Sequence, residues 1–322
     1  MMLQRKIMRA RPSGHITQRM AILSALLVVV FYLAIGPALA GAGDRLCTKT
    51  AKAARDACQD NAEADYAIAL GKCNSLSSAS DREACQQQAK RDLRDAQGEC
   101  SDQFDARREV CDAVGEAAYN PVVDPANFVD GITNPFFPMI PGTTFVYRGG
   151  GEDVTVTVTD RTKTILGVKC VVVRDVVKVN GQVTEDTEDF FAQDVQGNVW
   201  YFGEITQEFE NGELVSIAGS FKAGVNGAKP GIIMRAAPRV GDVYRQEFLL
   251  AEAEDVAEVL GLNASATVPA ASCNNDCLIT KETTPLEPGA VENKYYARGI
   301  GFILQVVPET GERLELVEVI RK

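Results

Sequence analysis

The densest group of titratable side chains is Glu185, Asp186, Glu188, Asp189 and Asp194. Two carboxyls held roughly 5–10 Å apart supply the acid and base of glycoside hydrolysis. Glu185, Glu188, Asp189 and Asp194 are therefore the candidates for a carboxylate-based secreted hydrolase. The plainer reading is that alternating acids line the wet face of a strand from Glu185 to Phe191. Asp194-Val195-Gln196-Gly197-Asn198 has some character of a calcium loop. It lacks Asp or Asn at alternate positions and a downstream bidentate Glu, so a turn is favoured and no metal is implied. Trp200, Tyr201 and Phe202 are contiguous, and a strand sends Trp200 and Phe202 to one face and Tyr201 to the other. They are the candidates for an aromatic binding platform, with core packing as the alternative.

Much chemistry is excluded by one absence. The only histidine is His15, inside a segment with the character of an export signal. The mature chain then has no imidazole for Ser-His or Cys-His catalysis, for His-ligated zinc, or for haem attached through Cys-x-x-Cys-His. Cys170, Cys273 and Cys277 form an odd set: Cys273 and Cys277 could close a small loop, or either could bridge to Cys170. One thiol is left over. Gly149-Gly150-Gly151 reads as a turn, since no helix or Lys-Ser/Thr comes after it. Asn263-Ala264-Ser265 matches a glycosylation acceptor, a pattern common by chance. No cofactor is implied.

The other six cysteines carry the strongest signal. Cys47, Cys58, Cys73, Cys85, Cys100 and Cys111 are separated by 11, 15, 12, 15 and 11 positions, a palindrome. Residues facing each other in an antiparallel hairpin have a constant index sum, and 47 with 111, 58 with 100 and 73 with 85 all give 158. The flanking segments, Asp44 to Lys72 and Asp81 to Ala118, are rich in helix formers and free of proline. Between them lies a Ser-rich turn, with Ser80 or Asp81 available as a cap. Disulfides need Cα atoms roughly 5.5 Å apart, closer than ordinary helix packing. The same sum sets Ala62 against Ala96, Ala69 against Ala89 and Ala54 against Phe104, which supplies the small residues. Three nested bridges are expected, in an oxidising compartment. A metal or redox cluster is disfavoured, because no Cys-x-x-Cys occurs.

Residues 1–20 carry Arg5, Lys6, Arg9, Arg11 and Arg19 and no acid. The apolar run Ala21 to Ile35 and Ala38-Leu39-Ala40 complete a secretory signal, with a membrane anchor as the alternative. No cysteine stands beside the cleavage site, so a lipid anchor is not expected. Removing five of 33 basic residues leaves 28 against 44 acidic ones. That net of −16 repels phosphate backbones and anionic lipid heads, so nucleic acid is a poor partner.

Residues 119–142 contain five prolines, which favour an extended path. Phe136, Phe137, Met139 and Ile140 are too apolar for a free linker and are expected to dock on the domain C-terminal to them. From Thr143 the period becomes two: Val154, Val156 and Val158 alternate with threonines. Asn180-Gly181 and Asn211-Gly212 mark hairpins. Strands are expected at 169–179, 243–249, 278–283, 294–297, 302–307 and 314–320, with one short helix from Ala251 to Leu260. Ten to twelve strands joined by short turns suggest a curved antiparallel sheet.

Asn134-Pro-Phe-Phe-Pro-Met-Ile-Pro-Gly-Thr-Thr-Phe-Val-Tyr147, Gly197-Asn-Val-Trp-Tyr-Phe-Gly-Glu204, Thr284-Pro-Leu-Glu-Pro-Gly289 and Lys294-Tyr-Tyr-Ala-Arg-Gly299 together resemble a group of uncharacterised bacterial secreted proteins, some with a similar Cys/Ala-rich helical region. The resemblance covers most of the mature chain. It implies export and a β-rich domain, and it carries no activity.

The expected organisation is a signal at 1–40, a stapled helical hairpin at 41–118, a Pro-rich linker at 119–142 and an antiparallel β domain at 143–322. The fold class is α+β, with a barrel- or sandwich-like sheet. The expected role is a non-enzymatic exported protein, periplasmic or extracellular, with no membrane span in its mature form. Its β domain would bind a ligand or envelope partner, with the hairpin as a rigid arm. The alternatives are the hydrolase and a purely structural envelope component.

Overall fold

The structure, a computed structural model, describes residues 44–321. The expected signal at 1–40 lies outside the described residues. Among those described, no helix is long and apolar enough to cross a membrane.

Two antiparallel helices come first, α1 (Leu46–Asn74) and α2 (Ala79–Val114). The cap of α2 is Ser78, whose side chain accepts from the Asp81 amide, rather than Ser80 or Asp81. The helix stops before Ala118 because Gly115 turns to a φ of +96°. All three expected rungs are present: Cys47–Cys111, Cys58–Cys100 and Cys73–Cys85, with Cα separations of 5.6, 5.7 and 5.5 Å. Ala51, Ala54, Ala62 and Ala89 are buried between the helices, which lets the backbones come this close. Arg55 lies over the Phe104 ring at 4.7 Å, covering it with its aliphatic stem and cation. So thin a pair buries little apolar surface. The bridges, each worth roughly 2–4 kcal/mol, replace the missing core.

The linker passes through a short 3-10 turn at Pro125–Asn127 into β1 (Phe128–Val129). It docks on the sheet: Ile132, Phe136, Phe137 and Met139 are buried in the main core. Ile140 does not join them. It is 56% exposed, beside the turn that leads into the next strand.

The sheet begins with β2 (Thr143–Gly149), β3 (Glu152–Ile165), β4 (Val168–Val179), β5 (Gln182–Asp194) and β6 (Val199–Glu210). The middle holds β7 (Glu213–Ser216), β8 (Phe221–Lys222), β9 (Lys229–Met234), β10 (Val243–Arg245) and β11 (Glu247–Phe248). The last five are β12 (Val256–Val268), β13 (Ala271–Thr283), β14 (Val291–Ala297), β15 (Gly301–Val306) and β16 (Arg313–Arg321). The strands pair antiparallel in the order β10-β12-β13-β14-β15-β16-β2-β3-β4-β5-β6-β9-β11. The two ends of that path are neighbours in sequence, separated only by Gln246. One segment thus pairs with β12 through Val243–Arg245 and with β9 through Glu247 and Phe248, so the sheet is nearly a barrel. At this seam a Cβ on Gly231 would strike the Gln246 backbone, so only glycine fits.

Ala251–Leu260 is not a helix. Ala251 takes a positive φ in a turn, and Val256 onward is strand β12, paired with β13. The apolar spacing fits either period over so short a run, and the hairpin partner decides it. The expected run at 243–249 is split into β10 and β11 at the sheet's closure.

Val154, Val156, Val158, Phe145, Tyr147, Phe191, Tyr201 and Leu316 belong to the core inside the barrel. A second, smaller cluster around Val172, Phe190 and Phe202 sits outside and is covered by Val123 and Phe128 of the linker. Cys273 and Cys277 close the small loop, and Cys170 is free and buried in the outer cluster. Burial pushes the Cys170 thiol up to about 12, so it is inert.

Candidate functional site

Strand β5 divides the acidic cluster by pleat. Thr187 and Asp189 are buried, whereas Asp186 and Glu188 meet outer cations. Asp186 pairs with Arg174 at 2.6 Å and Glu188 with Arg161 at 2.7 Å. Asp194 caps the turn, accepting from the Gln196 and Asn198 amides at 3.0 and 2.9 Å and from Trp200 Nε1 at 2.9 Å. Asp189 accepts from Tyr201 Oη at 2.6 Å. Of the four candidate catalytic acids, Glu185 lines an acidic cavity that Glu188, Asp189 and Asp194 do not line, and the four do not converge.

That cavity, about 280 Å³, opens at one end of the barrel. Its wall includes eleven carboxyl side chains and no lysine or arginine. Strand register brings the acids together. Glu185 stands opposite Glu208, and Asp189 opposite Glu204. Glu282 stands opposite Glu292. Like charges directly opposite on a sheet are destabilising, so each row needs a compensation. For Glu282 and Glu292 it is Lys294, 0% exposed, whose Nζ lies 2.9 and 3.2 Å from the two carboxylates. Tyr296 Oη and Thr280 Oγ1 also donate to Glu282, each at 2.9 Å.

On the β6 and β11 side the compensation is protonation. Burial, reinforced by the charges of Asp189 and Glu185, pushes Glu204 up to about 8. Burial likewise raises Asp255 to about 7, against the pull of Thr284 and Lys294. Glu247 is raised well above the ordinary range by burial and by its neighbours Asp255 and Glu204. Its Oε2 is buried with no hydrogen-bond partner. Val177, Phe209, Val215 and Leu286 supply apolar patches between the acids. Among the described residues, no three His, Cys, Asp or Glu side chains are grouped to hold a metal ion.

The aromatic candidates separate as the pleat requires. Tyr201 packs inside, stacked 4.7 Å from Phe191. Phe202 and Trp200 face outward, where Phe128 meets both rings edge-on. Trp200 also borders a second cleft, between barrel and hairpin.

Glu204, Glu247, Asp255, Glu282 and Glu292 escape a reading of the sequence because they are dispersed over distant stretches of chain. The one local signal is Glu292-x-Lys294-x-Tyr296, charged and aromatic residues at period two. No protein-family model, curated protein or solved structure matches the chain.

Proposed function

We propose that the chain is an exported, non-enzymatic binding protein whose barrel mouth takes a small organic cation, an amine or oligoamine with short hydrocarbon segments. The observation that carries this reading is the excess of carboxyls over cations in the cavity wall. Low-dielectric walls of one sign concentrate a counter-ion. The acids are spread around the mouth, which suits an extended amine better than a point-like metal ion, and the apolar patches suit its methylenes. The stapled hairpin is a rigid arm roughly 40 Å long at helical rise. Export is supported by four disulfides, which persist in oxidising compartments.

The test is calorimetric titration of the protein with spermidine and diaminohexane, with hexanediol as the neutral control. Both amines should bind, more weakly as salt is raised, and the diol should not. Equal binding of diamine and diol, or no binding of either amine, would contradict the proposal.

A further inference from the structure

The second cleft, about 520 Å³, lies where the base of the hairpin meets the barrel. Its chemistry is the reverse of the mouth. In a chain with so large an acidic excess, it is lined by Arg107, Arg235 and Arg245 and by a single acid, Glu254.

Two of these cations have a carboxylate within ion-pair distance, although Arg107 Nη1 and Arg235 Nε are themselves buried without a hydrogen-bond partner. Arg107, 4% exposed, forks onto Glu254 with three hydrogen bonds of 2.8–3.0 Å. Arg235 lies 3.7 Å from Asp242. Among the described residues, Arg245 makes no ion pair; the charge of Glu254, already forked by Arg107, acts on it only from farther off. Arg245 is 7% exposed, and its Nε and Nη1 are buried with no hydrogen-bond partner. Its Nη2 reaches only Cys47 Sγ, at 3.7 Å. Its guanidinium lies 4.8 Å from the Phe248 ring and 5.6 Å from that of Tyr119. Stacking on rings offsets part of the cost of burying a cation, but it leaves the in-plane N–H donors unused. An unmet buried donor is expensive, and a buried charge more so.

Three guanidiniums against two carboxylates leave one positive charge, which one negative charge completes. The walls beside it are aromatic and aliphatic: Tyr119, Trp200, Ile232 and Phe248. We propose that this cleft binds a small organic carboxylate, its head group on the Arg245 fork and its apolar or aromatic body against these walls. Small turns of the guanidinium present the unused donors to the carboxylate, the bidentate geometry in which arginine binds best. A phosphate dianion would overshoot the charge and find no apolar match for its oxygens.

Trp200, the only tryptophan in the chain, borders the cleft, so its fluorescence reports on occupancy. The full mature protein is titrated with phenylacetate and octanoate, with phenylacetamide and inorganic phosphate in parallel. Both carboxylates should change the Trp200 emission saturably, while the amide and phosphate should not. Arg245→Met should weaken the carboxylates at least tenfold and leave the unfolding temperature unchanged or higher, because it removes an uncompensated buried charge. Arg245→Gln is read alongside it, so that one misfolding variant does not decide the matter. Failure of both carboxylates to bind the wild type overturns the proposal, as does equal binding of the amide. Unchanged affinity in a folded Arg245 variant overturns the role of the fork, and tighter binding of phosphate overturns the carboxylate assignment. The spermidine titration of the barrel mouth is independent of every one of these results.

Discussion

The barrel mouth and the hairpin seam both bury more charge of one sign than they neutralise, yet they meet the cost differently. In the mouth the excess is carboxyl, and a carboxyl can take up a proton: burial raises Glu204 to about 8 and Asp255 to about 7, so both exchange protons around neutral pH. At the seam the excess is guanidinium, which stays charged at any ordinary pH. Arg245 therefore has to rest on rings and leave donors unsatisfied. A buried acid is a site that pH can tune, and a buried arginine is a site that only an anion can relieve.

The largest expected effect breaks the seam. Arg107→Ala strands the buried Glu254, and losing one partner of such a pair costs about 3–5 kcal/mol. The hairpin base should undock, exposing the 115–121 segment to limited proteolysis while the three bridges hold the helices together. A variant as stable and protease-resistant as the wild type would mean that hairpin and barrel are held by other contacts.

A smaller effect, on the order of a few kcal/mol, sharpens the contrast through pH. Both carboxyls are raised from ordinary values of 4.5 and 3.8. Between those values and their folded ones, the folded chain holds more protons than the unfolded chain. Their contribution to stability is thus fully present below about pH 4 and is lost as pH rises through 7 and 8. Thermal unfolding followed from about pH 5.5 to about pH 8.5 should move to lower temperature by several degrees. In Glu204→Gln the slope should be shallower. An unfolding temperature that is flat or rises over this range would show that the acids are not protonated in the fold.

How much of the molecule is legible in its sequence depends on how local the signal is. The hairpin is legible, because cysteine rungs and facing alanines obey one index sum along a single pair of helices. The strands from Val154 onward are as well, since period two and Asn-Gly turns are local. Residues 251–260 suggest a helix and form a turn and strand, because a short apolar run carries both periods and its β13 partners lie far along the chain, from Thr280 to Thr283. The two charged cavities are hidden for a stronger version of that reason. Glu204, Glu247, Asp255 and Glu282 share a wall only because the sheet curls until β10 and β11 join its edges. Arg107 and Arg245 meet only because the hairpin folds back onto that closure. The cluster at Glu185 to Asp194 stands out by density, and the pleat scatters it.

The mouth's trade of protons for a cation is tested most directly by calorimetry of spermidine binding near pH 7 in two buffers of different ionisation enthalpy. Binding should release protons as Glu204 and Asp255 ionise beside the amine, and the release should shrink in Glu204→Gln. Binding with no proton release, or with proton uptake, would contradict it.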